Sequence, residues 1–310
     1  MNKREMVLNL VHGTTVPDYV PAAFFMHFAP QYHQGQAAID KHLEFFRYTG
    51  MDFVKIQYEQ SNPPAPAIRT PEDWANIPRC SQEFFAPSTR LAEGLVAAAK
   101  SEALVIMTVY SPFMWANHYA GAATVTAHLR QDPDAVQQGL QILTDNVLTL
   151  LRGCKKAGID GFYVSSQGGE ALRFPGTDIF RKYIKPTDLA VWEEIKSCEF
   201  NILHICDYEG SYDDLTPFLD YPGHVVNCSL KLGNRSLTPS GVSQMFGRPF
   251  MGGMERKGAL ATGSIQETQQ AADDVLRNIP ERFILGADCT VPNASWDNLR
   301  AAIDRAHQRK

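Results

Sequence analysis

The sequence predicts an α/β protein of the (β/α)₈ (TIM) barrel class. Eight short apolar runs recur along the 310 residues, and each is followed by a stretch able to form a helix. The runs are apolar at most positions, as in strands covered on both faces. The length suits one large α/β domain, so residues 1–310 are read as a single barrel domain. A doubly wound open sheet is the alternative. It calls for a glycine-rich phosphate turn after the first strand, and Met26-His27-Phe28-Ala29-Pro30 is not one.

The elements follow in order. Residues 2–12 read as an extra N-terminal helix before the first candidate strand, 22–28. A helix at 36–48 follows, with Gly50 as its stop. The second strand, 52–58, leads into a long excursion over 59–86 that carries Asn62-Pro63-Pro64-Ala65-Pro66, then a helix at 88–101. The third strand, 104–110, is followed by a second long loop, 111–132, holding Phe113, Trp115, His118 and Tyr119. Long connections in compact domains tend to be lids or binding loops. A helix at 133–157 ends before Gly158, and the fourth strand is 161–166. A helix at 178–198 contains Thr187-Asp188 as a polar start signal. Strands at 200–206, 224–230, 248–254 and 282–288 complete the eight. Their helices are expected at 212–219, 236–246, 265–278 and 295–308, the last opening at Ser295-Trp296-Asp297.

Composition excludes several classes. The net charge of −5 is mild and Lys and Arg form no run, so nucleic acid has no electrostatic footprint here. No apolar stretch reaches the roughly 20 residues that cross a bilayer. Met1-Asn2-Lys3-Arg4-Glu5-Met6 lacks the apolar core of a secretory signal, and a cytoplasmic protein is expected. Six cysteines in a chain this long do not make a disulfide scaffold. Cys80, Cys154, Cys198 and Cys228 read as structural, since free cysteine packs as a small hydrophobe.

The remaining two cysteines carry the chemistry. His204 and Cys206 sit two apart at the end of the fifth strand, so their side chains share a face. Cys289 lies just past the eighth strand, in Gly286-Ala287-Asp288-Cys289-Thr290-Val291-Pro292. Barrel enzymes gather their active sites at these strand ends. One imidazole and two thiolates suit zinc, and three protein ligands leave a position open for chemistry. Packing offers the competing account, with a satisfied core histidine and two small buried cysteines. The fifth and eighth strands are not neighbours, so the loops must lean together for all three to meet one ion.

Several blocks resemble a known family. They are Val20-Pro21-Ala22-Ala23-Phe24-Phe25-Met26, Gly158-Ile159-Asp160-Gly161-Phe162, and Phe180-Arg181-Lys182-Tyr183-Ile184-Lys185-Pro186. Near the C-terminus, Cys289-Thr290-Val291-Pro292 is followed by Trp296-Asp297-Asn298-Leu299-Arg300-Ala301-Ala302-Ile303. Together they resemble the uroporphyrinogen decarboxylase superfamily, a family of TIM barrels. Within it, His204-x-Cys206…Cys289 is similar to the zinc signature of the methylcobamide:coenzyme M methyltransferase branch. The resemblance implies a zinc-dependent methyltransferase working with a corrinoid on a separate partner protein. The chain has no Asp-x-His-x-x-Gly signature of a corrinoid domain. The decarboxylase branch carries two arginines after its first strand, and Met26-His27-Phe28-Ala29-Pro30-Gln31-Tyr32 has none. Its aspartate after the second strand has no match near Lys55-Ile56-Gln57-Tyr58-Glu59.

Other residues at the strand ends are secondary candidates. Gln167 or Glu170, in Ser165-Ser166-Gln167-Gly168-Gly169-Glu170, would supply a fourth ligand or orient substrate, and the glycines would admit close backbone approach. A solvated turn is the plainer account of that stretch. His27 is expected to face the site. Asp288 would support the metal ligands, as such ligands need oriented partners. Tyr208, Glu209 and Glu255 would line the same mouth, and His118 and Tyr119 would belong to a lid. Two other functions fit less well: a carboxy-lyase without metal, and a non-catalytic protein that uses zinc to hold a ligand.

Overall fold

The computed structural model describes residues 1–14, 18–64 and 66–308. Ala65, within the expected proline-rich loop, lies outside them, as do the last two residues of the expected domain. Seven parallel strands form the main sheet: β1 Phe53–Ile56, β2 Leu104–Tyr110, β3 Gly161–Ser166, β4 Ile202–Ile205, β5 Val225–Cys228, β8 Phe250–Met254 and β9 Phe283–Ala287. They lie in that order, every neighbouring pair parallel. A separate antiparallel pair, β6 Lys231–Leu232 and β7 Arg235–Ser236, was not expected, although its Gly233-Asn234 turn is a hairpin signal.

The expected first strand, 22–28, forms only an isolated parallel bridge from Ala22 to Leu285. The Ala23 N–H donates to Leu285 O at 3.0 Å and Asp52 N–H to Ala22 O at 2.9 Å. Residues 21–23 therefore touch both edge strands, β9 and the start of β1. Phe24 and Phe25 beyond them are buried and lie outside any strand. Rings from separated positions also meet inside the curled sheet, Phe53 with Phe200 at 5.3 Å and Phe25 with Tyr163 at 5.6 Å.

Helices alternate with the strands. They are α1 Lys3–Val11, α2 Gly35–Thr49, α3 Ala86–Ala99, α4 Pro112–Ala120, α5 Ala122–Gln131, α6 Pro133–Lys156, α7 Lys185–Ile195, α8 Pro239–Phe246, α9 Ala259–Thr262, α10 Ile265–Leu276 and α11 Trp296–His307. Gly50 ends α2 at φ 77° and Gly158 follows α6 at φ 88°, backbone that favours glycine. Ser295 caps α11 by accepting from Asp297 N–H.

Three local expectations are corrected. The loop expected over 111–132 is helical: Ser111 caps α4, Pro112 opens it, and its first six residues are buried, which hides the amphipathic period. The helix expected over 178–198 begins as a π turn, Phe180–Ile184, and Thr187 lies inside α7 instead of before it. Pro186 has no N–H to continue an i−4 ladder there. The helix expected over 212–219 is a 3₁₀ turn, Thr216–Phe218, opened by Pro217. No helix among the described residues is long and apolar enough to cross a membrane.

Candidate metal centre

The β3–β4–β5 register builds the centre. His204 on β4 pairs with Ser165 on β3 and Asn227 on β5. Cys206, just past β4, continues the ladder, its N–H donating to Ser166 O at 3.0 Å. Cys289 follows β9, where Val291 N–H donates to Phe25 O at 2.8 Å and anchors the turn. The ligand atoms of His204, Cys206 and Cys289 all lie within 4.8 Å of one another. Two intervening strands, β5 and β8, are thus spanned by the curl of the sheet.

The donor set fits a metal ion. His204 is 1% exposed, and neither ring nitrogen has a hydrogen-bond partner. A buried imidazole left so is costly unless something else takes its lone pair. Its ring instead stacks on Tyr163 at 4.9 Å. Tyr163 O–H donates to Asn227 Oδ1 at 2.6 Å, and Asn227 Nδ2 donates to Met251 O and Ala287 O, both at 2.9 Å. The two thiols interact directly. The hydrogen bond from Cys206 holds the Cys289 thiol well below its usual range, against burial, and the same bond with burial pushes Cys206 up.

A cavity of about 650 Å³ opens over the three ligands. Gln167 lines it and donates from Nε2 to Cys206 Sγ at 3.5 Å, while its Oε1 accepts from Asn117 Nδ2 at 3.0 Å. His27 sits at the rim, its Nδ1 2.9 Å from Glu59 Oε1. Tyr208, Glu209 and His118 line the cavity. Tyr119 lines an adjoining one of about 590 Å³ that shares His27, Tyr110 and His118.

Other expected residues stand elsewhere. Glu170 does not line the cavity: its carboxylate accepts from Arg173 at 2.6 and 2.9 Å and from Gly168 N–H at 2.8 Å. The Cα of Gly168 faces Ile184 and Phe113 and that of Gly169 faces Phe218 and Tyr212, and neither glycine lines the cavity. Glu255 pairs with exposed Lys231 at 2.9 Å and lies off the cavity wall. Asp288 reaches Arg256 instead of a metal ligand, accepting from its backbone N–H and its Nη1 at 2.6 Å each.

Four residues escaped the sequence reading. Tyr163 and Asn227 support His204, and Arg256 links Asp207 to Asp288. Lys55, buried on β1, lines the cavity and donates to Thr108 Oγ1 at 2.7 Å and to Gln57 Oε1. Burial lowers its pKa to about 7. A charged residue in an apolar strand was the available signal.

Comparison with known structures adds the following. A methyltransferase from Methanosarcina mazei superposes with a TM-score of 0.76 at 14% identity, covering 99% of this chain and 98% of that one. A B12-independent methionine synthase from Shewanella sp. W3-18-1 gives 0.59 at 10% identity, covering 92% and 97%. An endo-1,4-beta-mannanase from Rhizomucor miehei gives 0.55 at 11% identity, covering 94% of each chain. At such identities the likeness is one of fold. No curated protein matches the sequence. The family model for uroporphyrinogen decarboxylase (URO-D), however, matches residues 46–309, a span that takes in all seven strands of the main sheet and all three clustered ligands. By that match the chain belongs to the uroporphyrinogen decarboxylase (URO-D) family.

Proposed function

We propose that this chain is a zinc-dependent methyltransferase of the family, moving a methyl group between a corrinoid on a partner protein and a small thiol or methylated substrate. The observation that carries the reading is the buried His204–Cys206–Cys289 cluster, with both imidazole nitrogens unpartnered. Fold likeness alone does not choose a chemistry, since a mannanase shares it. The donor set supports one: an imidazole and two cysteine sulfurs suit zinc and would leave a coordination position open. Zinc held there would supply Lewis acidity, keeping a substrate thiol deprotonated at neutral pH.

The chain's own residues take the other tasks. Gln167, tied to Asn117, fixes the Cys206 sulfur and faces substrate. Glu170 acts at one remove, with Arg173 holding the loop that carries Gln167. His27, beside Glu59, is placed to exchange a proton at the rim. Exposed Tyr208 and Leu172 follow β4 and β3 on the same end of the sheet and offer apolar contact to a partner protein. We also assign residues 1–310 to one barrel domain, with residues 21–23 as the eighth stave.

Metal analysis of protein purified without chelator tests the reading. About one zinc per chain is expected, and Cys289→Ala should lose it while the fold persists, by circular dichroism. Absence of zinc from the wild type refutes the proposal. The carboxy-lyase alternative predicts turnover without zinc. The binding-protein alternative predicts zinc but no methyl transfer when a methylcorrinoid protein and a thiol are supplied.

A further inference from the structure

The two cysteines follow strands separated by two others, and one guanidinium ties their neighbours together. Asp207 comes directly after Cys206, and Asp288 directly before Cys289. Arg256, just past β8, places Nη1 2.8 Å from Asp207 Oδ1 and 2.6 Å from Asp288 Oδ2. Its backbone N–H also donates to Asp288 Oδ1 at 2.6 Å. Among the described residues no backbone hydrogen bond runs directly between the segments after β4 and β9. The three side chains are only 12–18% exposed, so solvent screens them less than a surface pair.

We propose that Arg256 is a positioning residue for the metal centre, pinning the Cys206 and Cys289 segments at the separation needed for two thiolates to share one ion. The proposal rests on the zinc reading above. Two effects add. The guanidinium bridges the two strand ends mechanically. It also offsets part of the charge of two carboxylates that would otherwise repel each other and raise the negative potential around the cysteine sulfurs. Asp207 and Asp288 thus reach the ligands through the chain, and Arg256 serves both.

The test uses full-length wild type, Arg256→Met and Arg256→Lys. Zinc affinity is read by competition with a chromophoric chelator, and site geometry by the visible spectrum of the cobalt(II)-substituted protein. Arg256→Met should bind zinc about 10- to 100-fold more weakly, as when outer supports of metal ligands are removed. Its cobalt(II) bands should shift or weaken, and Arg256→Lys should restore part of both. Should Arg256→Met fail to fold, Asp207→Asn reads the same bridge from the other side. Arg248→Met is the control: Arg248 precedes β8, at the other end of that strand from Arg256, and donates to Tyr221 O and Gly223 O. It should lower stability and leave zinc affinity alone. Unchanged zinc affinity and an unchanged cobalt spectrum in Arg256→Met would overturn the proposal. So would an equal zinc loss in Arg248→Met. A wild type that takes up neither metal overturns this proposal and the zinc reading together, whereas a zinc-binding wild type with an indifferent Arg256 overturns this one alone.

Discussion

His204 is oriented by packing. Metal-binding imidazoles usually donate their second N–H to a carboxylate or carbonyl, but neither nitrogen of this ring has such a partner. The stacked Tyr163 ring, itself held by Asn227, takes over that task. Tyr163→Leu should therefore weaken zinc binding roughly tenfold, while Tyr163→Phe, which keeps the stack, should cost less. Chelator competition on both variants measures this, and equal effects would show that the phenol hydroxyl, not the ring, does the orienting. The clustering of His204, Cys206 and Cys289 was legible in part, because His204 and Cys206 share a strand face by simple alternation. Their supports were not. Tyr163 and Asn227 reach His204 only through the register of β3 and β5, which no local spacing reveals. Glu170 was misjudged because strand-end position was weighed above its neighbour Arg173, three residues on.

At the scale of elements, α7 hides a group that ought to govern pH dependence. Asp188 is fully buried, with Tyr221 O–H donating to it at 3.0 Å. Burial raises its pKa from 3.8 to about 7, the Tyr221 hydrogen bond offsetting only part. Between those two values the folded chain keeps a proton that the unfolded chain releases. Through this group, stability is full below pH 4 and falls as pH rises toward 7, by a few kcal/mol in all. Buried His42, lowered to about 4 by desolvation, works in the opposite sense over part of the interval. The difference between wild type and Asp188→Asn isolates the aspartate. Denaturant unfolding at pH 5 and pH 7 should show the variant gaining on the wild type as pH rises. A constant difference between the two would assign Asp188 an ordinary pKa. Helix α7 also marks where sequence reading slipped. Thr187-Asp188 has the composition of a cap, yet both residues are buried inside the helix. Most strands and helices of the main sheet were legible from periodicity, which failed where burial on all sides erased the period, as in α4, and where an apolar run gave only a bridge, as at Ala22.

For the whole molecule, the two ends of the sheet divide the work. The candidate centre lies at the C-terminal ends of β4 and β9, while the opposite end carries a tie that closes the structure. Asp52, just before β1, is fully buried and accepts from Ala22 N–H at 2.7 Å. His307 Nε2 of α11 approaches it at 2.8 Å, the Tyr19 O–H donates to it, and Lys3 of α1 lies 3.6 Å away. One carboxylate therefore joins the N-terminal helix, the segment at 21–23, the first strand and the last helix. The sequence placed a strand at 22–28 because the stretch is apolar, but its contribution is this short bridge, fixed by partners far away in the chain. Removing the carboxylate leaves a buried N–H and a histidine–tyrosine pair without their acceptor. Asp52→Ala should cost about 3 kcal/mol in unfolding free energy. Zinc content per folded chain should stay at the wild-type value, because the tie and the ligands sit at opposite strand ends. Thermal unfolding and metal analysis on the same preparation check both halves. Loss of zinc from a still-folded Asp52→Ala would show that closing the sheet sets the spacing of the ligands. The two ends would then be coupled, contrary to the division of labour expected of strand ends in barrel enzymes.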